Sequence, residues 1–519
     1  MKHKEENFEI EIVKDLVNNR GWVEGSNSEY DKELGLYTRD LIEFVKITAP
    51  ESYKKIQKRE KKNTNKVIAE YVAKQMNKYG SLWCLKHELK YIGAKIKLAQ
   101  FKPELNNPEL QKNYEANILR VVRQVHFSPK NPNKSIDLVF FLNGIPIITM
   151  ELKTDFTQNV QDAINQYKFD RNPKESILLQ FKKRALVHFA VSEDEVYMTT
   201  KLEGAKTKFL PFNKGYNGGA GNPPNPNGYK TSYLWEEILE RDSILNIIEK
   251  FIHLHDDTLI FPRFHQLDAV RKLLKDTKEH GSGKRYLIQH SAGSGKSNSI
   301  AWLAHQLATL HNESGEEIFD SVIVITDRNV LDAQLQETIS SFEHKEGFIA
   351  KINRKEGSKS SQLADALKRG AKIIITTIQT FPFVAEEIQK EGLKGKKFAI
   401  IADEAHSSQT GSTAKLLRFI LTSEKLGDEV SAEDLINAFI LSEKEQQNLS
   451  FYAFTATPKA KTLEVFGSLS DPSKPPSKEN KPKPFHLYSM KQAIEEGFIL
   501  DVLYQNTKQL LHSSFLGTD

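Results

Sequence analysis

The chain has 519 residues, 39% of them hydrophobic and 27% charged, with a formal net charge of +5 at pH 7. That length predicts roughly two to four domains, and the composition is that of a soluble globular protein, because no apolar run approaches the about 20 residues a bilayer span needs. The charged amino terminus, MKHKEENFEIEIVK, lacks the apolar core of a secretory signal, and a lone Cys84 excludes an intrachain disulfide and a cysteine-ligated zinc, which together predict a cytoplasmic protein.

The chain opens on a helical pattern. In NFEIEIVKDLVNNRGW, Phe8, Ile12 and Leu16 recur at helical spacing and predict one buried face, with Glu9 beside it. Residues 53 to 66, YKKIQKREKKNTNK, are strongly basic. Such runs are commonly solvated faces, and this one also suits the phosphates of a nucleic acid. Residues 135 to 154, SIDLVFFLNGIPIITMELKT, read as two strands around Asn143-Gly144, a strong hairpin signal. Asp137 lies in the first strand. Glu151 and Lys153 lie two residues apart in the second, hence on one face. Two carboxylates can share a divalent ion such as Mg²⁺, which polarises a phosphodiester. Lys153 can position or deprotonate the attacking water, and the Leu152 carbonyl can add a ligand. A plain two-residue turn would set Asp137 against Met150 and send Glu151 to the other side of the sheet. The chemistry therefore requires a three-residue loop or a bulge at Gly144, with Asp137 opposite Thr149 and Glu151 diagonally next to it. A helix is expected next, with Val160, Ala163, Ile164 and Tyr167 buried and Gln166 beside them.

YNGGAGNPPNPNGYK, residues 216 to 230, cannot sustain a helix or strand and is either a linker or a long loop. A helical stretch, YLWEEILERDSILNIIEKFIHL, follows, and a domain boundary is expected near residue 260. The strand-like RYLIQH then leads into HSAGSGKSNS and the helical KSNSIAWLAHQLATL. This is the context of a phosphate-binding loop. Gly293, Ser294 and Gly295 turn backbone N–H groups toward phosphate oxygens, Lys296 adds a cation and Ser297 a hydroxyl for Mg²⁺. His290 stands where the usual pattern has glycine, but at the strand end a side chain is tolerable. SVIVITDR, KIIITTIQTF, FAIIADEAH and SFYAFTATP supply further buried strands between helical segments, which predicts a doubly wound parallel sheet. At the end of one, Asp403 is suited to hold Mg²⁺ and Glu404 to orient the attacking water. SDPSKPPSKENKPKP, residues 470 to 484, reads as a flexible linker.

These segments carry a specific resemblance. Asp137 followed by Glu151-x-Lys153 resembles the PD-(D/E)xK nuclease site. The P-loop, TDR, TTIQTF, DEAH and TATP segments, in that order, resemble the first RecA-like domain of superfamily 2 helicases and translocases. FPRFHQLDAV resembles that family's glutamine motif, which implies that Gln266 reads the adenine of ATP. By the same resemblance Thr455 and Thr457 couple hydrolysis to DNA movement, and Asp327, Arg328, Thr377 and Gln379 lie on segments that meet the nucleic-acid backbone. The nuclease family often brings an acid of its first helix to the metal site, which makes Glu9 a candidate. It also often carries Gln-x-x-x-Tyr after the hairpin: Gln166 matches, and Asp170 stands where the tyrosine would be.

Nuclease followed by translocase, with RQVHFSPKNPNKSIDLVFFLNGIPIITMELK, AINQYKFDR, FLPFNKGYNGGAGNP and YLWEEIL, resembles the restriction (R, motor) subunit of type I restriction-modification enzymes over nearly all of residues 5 to 505. The resemblance implies a mixed-sheet nuclease domain over residues 1–258, a RecA-like domain over 259–469, a linker over 470–484 and the start of a second RecA-like domain over 485–519. It implies an endonuclease that uses ATP and Mg²⁺, translocates and cleaves double-stranded DNA, has no membrane partner, and depends on separate methyltransferase and specificity subunits. A stand-alone helicase–nuclease of DNA repair and a non-catalytic ATP- and DNA-binding remnant are the alternatives. Because later translocase motifs do not follow, the chain reads as a shortened fragment, a disrupted gene product or one part of a split protein. It is expected to bind ATP weakly and not to translocate by itself.

Overall fold

The computed structural model describes residues 2–154, 159–326, 329–342, 347–352, 359–377, 384, 393, 395–403, 447–471, 473–475 and 477–500. The chain divides into two units, residues 1–216 with 221–264, and residues 265–519 with 217–220.

In the first unit α1 (Lys2–Asn19) buries Phe8, Ile12 and Leu16, as its periodicity predicts. Among the described residues, seven strands then share one sheet in chain order: β1 (Val23–Gly25), β2 (Leu119–His126), β3 (Ser135–Leu142), β4 (Ile145–Leu152), β5 (Val187–Val191), β6 (Val196–Thr199) and β7 (Leu210–Pro211). The β1–β2 and β4–β5 pairs are parallel and the others antiparallel, so the sheet is mixed. Between β1 and β2 the chain inserts α2 (Thr38–Thr48), α3 (Pro50–Glu60), α4 (Thr64–Tyr79) and α5 (Ser81–Lys86), and then a further helix over Pro108–Glu115. After β4 comes α6 (Val160–Asn165), continued by a π-helical turn over Gln166–Asp170. Ala163, Ile164 and Tyr167 pack there against Val139, Phe141 and Ala190 of the sheet. Every residue of β4 is buried, which is the pattern of a strand covered on both faces. The helical stretch expected from residue 233 is three short pieces rather than one helix. Leu234–Ile238 and Ile247–Phe251 are π-helical and flank the α-helix Arg241–Asn246, whose start is capped by the Glu240 carboxylate accepting from Ser243 N–H.

The second unit is a parallel sheet whose described strands are β8 (Arg285–His290), β9 (Ser321–Thr326), β10 (Ile349–Lys351), β11 (Ile373–Thr377), β12 (Phe398–Asp403), β13 (Leu449–Thr455) and β14 (His486–Tyr488). Their order is β10-β11-β9-β12-β13-β8-β14, and every pair is parallel. This is the doubly wound sheet the alternating pattern predicts. Helix α7 (Phe264–His280) precedes β8 and α8 (Lys296–Leu307) follows it.

The units divide at residues 264 and 265, against an expected boundary near residue 260. Residues 470–484 are not a free linker where they are described: Ser468 and Lys483 form a bridge, and the Asn480 amide donates to the carbonyls of Asp471 and Lys474. A buried amide supplies the partners that a Pro- and Lys-rich composition does not advertise. Of the stretch expected to begin a second RecA-like domain, residues 501–519 lie outside the described residues. β14 adds to the edge of the same sheet beside β8, followed by α9 (Met490–Glu495).

Candidate functional site

The first candidate site is set by the hairpin β3–β4. Asn143 and Gly144 both have positive φ, 50° and 78°, and make a two-residue turn with Leu142 opposite Ile145 and Phe141 opposite Pro146. The register then shifts: Phe140 faces Ile148, Val139 faces Thr149 and Leu138 faces Met150, which leaves Ile147 as the extra residue of a bulge. One more step places Asp137 across from Glu151, on the same face. The odd residue that the chemistry requires is therefore present, but at Ile147 rather than Gly144, and Asp137 faces Glu151 rather than Thr149. The turn cannot lengthen because it is wedged against other backbone. Gly144 accepts from Tyr37 N–H at 2.9 Å, and a Cβ on it would lie 2.3 Å from the Tyr37 carbonyl oxygen.

Around this pair the side chains are buried and polar. Asp137 Oδ2 accepts from the Leu152 N–H at 2.8 Å and Oδ1 from Gln124 Nε2 at 3.3 Å. Gln124 Nε2 also donates to Glu9 Oε2 at 2.7 Å, and Arg123 pairs with the other Glu9 oxygen. Glu9 is thus buried, one amide away from Asp137, and not a solvated helix charge. Lys153 Nζ lies 2.7 Å from Glu5 Oε1, so α1 contributes two acids to this corner. Of Leu152 it is the N–H that meets Asp137. Glu151 is fully buried; one of its oxygens accepts from Arg171 Nε and the other, Oε2, has no hydrogen-bond partner among the described residues. Burial, and secondarily the charge of Asp137, holds the Glu151 carboxyl well above the usual carboxylate range, and burial likewise raises Glu9. Gln166 opens the π turn, and its Oε1 is also buried without a partner among the described residues. Asp170 is exposed, while Tyr167 is buried with its hydroxyl 2.8 Å from Thr149 Oγ1.

Two carboxylates facing each other, one with an orphaned buried oxygen, are hard oxygen donors of the kind Mg²⁺ takes. The residues fit such an ion. Sequence reasoning missed Glu5 and Arg171. The signal for Arg171 is present, since it closes the AINQYKFDR segment.

The second candidate site lies at the carboxyl ends of β8, β12 and β13. Gly293 and Gly295 have φ of 71° and 74°, and α8 starts at Lys296, so the loop has the conformation its glycines were expected to allow. Lys296 Nζ donates to the His290 carbonyl at 3.3 Å, and Ser297 lies half-buried in the first helical turn. Gln266 Nε2 donates to the carbonyls of Ser294 at 3.1 Å and Gly295 at 2.9 Å, which ties the loop to α7. Asp403 ends β12, and Thr455 ends β13 in register with Gln289 of β8. Thr457 follows just beyond β13, and Thr377 ends β11. Asp327, Arg328, Gln379 and Glu404 lie outside the described residues.

His290 is completely buried and has work of its own. Its Nε2 lies 2.8 Å from His486 Nδ1, and His486 Nε2 lies 3.0 Å from Asp268 Oδ2. Ser291 N–H donates to the Tyr488 carbonyl at 3.0 Å. The imidazole in place of the usual glycine thereby joins β8 to β14 and α7, a connection invisible in the loop motif alone.

Comparison with known proteins gives two family matches. Residues 2–207 match the model of the type I restriction enzyme R protein N terminus, and residues 265–514 match that of the SWI2/SNF2 ATPase. The HindI type I restriction enzyme endonuclease subunit of Haemophilus influenzae is 26% identical over 415 residues, 75% of this chain and 35% of the relative. A Methanocaldococcus jannaschii protein named as the MjaVIIIP endonuclease subunit is 28% identical over 335 residues, 60% of this chain and 31% of the relative. A Mycoplasma pneumoniae protein named as the C-terminal part of the MpnIIP endonuclease subunit is 30% identical over 186 residues, 34% of this chain and 85% of the relative. The chain spans about a third of the length of the first two.

Proposed function

The chain belongs to the family of type I restriction enzyme endonuclease subunits, and from that premise we propose that its first unit cuts double-stranded DNA with Mg²⁺ while its second binds ATP, whose hydrolysis drives DNA translocation in the complete enzyme. The observation that carries the cutting role is the bulge at Ile147, which sets Asp137 across from Glu151 beside an oxygen that has no partner among the described residues. Asp137 and Glu151 would hold the ion, with the Leu152 carbonyl as a further ligand. When bound, the ion polarises the scissile phosphate and stabilises the charge that develops on it. Lys153, steered by Glu5, orients the attacking water or takes up its proton. Gln124 keeps Asp137 and Glu9 at a fixed spacing, and Gln166 would serve the site as an uncharged donor and acceptor.

In the second unit the N–H groups of Gly293 to Ser297 and the Lys296 ammonium would cradle the β and γ phosphates, with Ser297 and Asp403 on the accompanying Mg²⁺. Gln266 would read the adenine from its place against the loop, and Glu404 would orient the water. Thr455 and Thr457 would pass the phosphate state on to the DNA-contacting segments. Target choice would come from methyltransferase and specificity subunits, the parts that a type I restriction enzyme needs beyond this one.

The test is cleavage of supercoiled plasmid, with and without the methyltransferase and specificity subunits added. Mg²⁺-dependent nicking is expected, with loss to background in Glu151→Ala. Lys296→Ala is expected to abolish ATP binding while leaving any ATP-independent nicking intact. Nicking that survives Glu151→Ala would exclude the proposed cutting site.

A further inference from the structure

The metal-site reading leaves Arg171 without a task, yet its place is unusual. Its Nε donates to Glu151 Oε1, and both side chains are buried, 7% and 0% exposed. The guanidinium also sits over the Phe127 ring, 5.6 Å from its centroid. A buried carboxylate is costly without a counter-charge, and here Asp137 stands across from it as well. Arg171 meets that demand from inside the fold.

The helix reaches this arrangement by changing its period. The Arg171 N–H bonds to the Gln166 carbonyl, five residues back, at 3.1 Å, so Arg171 stands one π turn above Gln166. In an ordinary α-helix the residue above Gln166 would be four on, which is Asp170. Asp170 is instead exposed, and its carbonyl accepts from Lys134 Nζ at 3.2 Å. An α turn would thus have set an aspartate, not an arginine, above Gln166. The π turn carries the aspartate away and delivers a fixed cation.

We propose that Arg171 is the resident counter-cation of the metal site: it holds the Glu151 carboxylate in place of the divalent ion, and the ion binds by taking that carboxylate over from it. This rests on the metal-site reading and deepens it. The pairing keeps the metal-free site folded and at the same time weakens the site's affinity for metal, because part of the negative charge is already neutralised.

Calcium binding to the full chain, followed by calorimetry and by thermal shift after EDTA treatment, tests this without relying on cleavage. Arg171→Gln is expected to melt lower in EDTA and yet to bind Ca²⁺ on the order of tenfold more tightly than wild type. Arg171→Lys, which retains the charge, should lie near wild type. Phe127→Leu, which keeps every charge but removes the ring beneath the guanidinium, should shift affinity the same way by a smaller factor and serves if Arg171→Gln does not fold. If wild type binds Ca²⁺, Asp137→Asn does not, and Arg171→Gln or Phe127→Leu binds it equally or more weakly, the counter-cation role is wrong and the metal site stands. If wild type shows no Ca²⁺ binding that Asp137→Asn removes, both fall.

Discussion

Thr149 has one hydroxyl proton and two buried partners, Tyr167 Oη at 2.8 Å and His188 Nδ1 at 2.7 Å. With one proton, the Thr149 hydroxyl can donate to only one of them. Burial keeps the imidazole neutral by pushing His188 down to about 3 from an ordinary value of 6.5. The unfolded chain then takes up a proton that the folded chain refuses. This residue's contribution to stability is complete above about pH 6.5 and is lost as the pH falls toward 3. Between pH 7 and pH 5 the loss is about 2 kcal/mol. Urea unfolding is expected to show wild type losing about that much more than His188→Gln over this interval. Tryptophan fluorescence can follow it, since Trp22, Trp83 and Trp235 all lie in this unit. Parallel pH dependences in the two proteins would refute the neutral imidazole. At this scale the sequence is legible where chemistry dictates the residue type. Asp137, Glu151 and Lys153 stand out because a metal-assisted cut would need two acids and a base at that spacing. Their supports could not, because a counter-ion can come from any part of the chain: Glu5 lies 148 residues from Lys153.

The hairpin shows what an element adds. Asn143-Gly144 announces its turn, but the bulge at Ile147 leaves no mark, because β4 is buried on both faces and has no polar alternation for a shifted register to interrupt. The π turn is hidden for a similar reason, since one added residue barely alters a short helical pattern. What fixes the bulge is the fixed turn. Gly144 at φ 78° sits where a Cβ would come within 2.3 Å of the Tyr37 carbonyl oxygen and 2.9 Å of the Leu41 nitrogen. Gly144→Ala is therefore expected to cost about 2–4 kcal/mol, combining left-handed strain with overlap against backbone. It should also weaken Ca²⁺ binding if relief of the clash lets the register slip and parts Asp137 from Glu151. A Gly144→Ala protein as stable as wild type would mean that the turn is free to move and does not set the register.

The whole chain carries a net charge of +5, but that charge is not spread evenly. Residues 38 to 86, the inserted helices α2 to α5, hold twelve Lys and Arg against five Asp and Glu, a net +7 that exceeds the charge of the entire molecule. Some of these cations are committed, Lys54 to Glu51, Lys66 to Glu70 and Lys55 to the Gly93 carbonyl. Lys58, Lys61 and Lys62, at the exposed end of α3 and just beyond it, form no ion pair among the described residues. Local composition flags this run, and the fold gathers it into one insert of the first unit, whereas the second unit is legible mainly through motifs that recur at strand ends. If the proposed action on duplex DNA holds, such a surface is expected to follow phosphates rather than read bases. The consequence is a salt dependence. Each phosphate that a lysine no longer neutralises reduces the slope of log K against log salt by about 0.9, so replacing Lys58, Lys61 and Lys62 together by Gln should lower it by about 2 to 3. The variant should bind all sequences more weakly to the same degree and keep wild-type Ca²⁺ affinity, since the hairpin is untouched. If filter binding across a salt series gives an unaltered slope, these lysines are a solvated face and the DNA runs elsewhere on the nuclease unit.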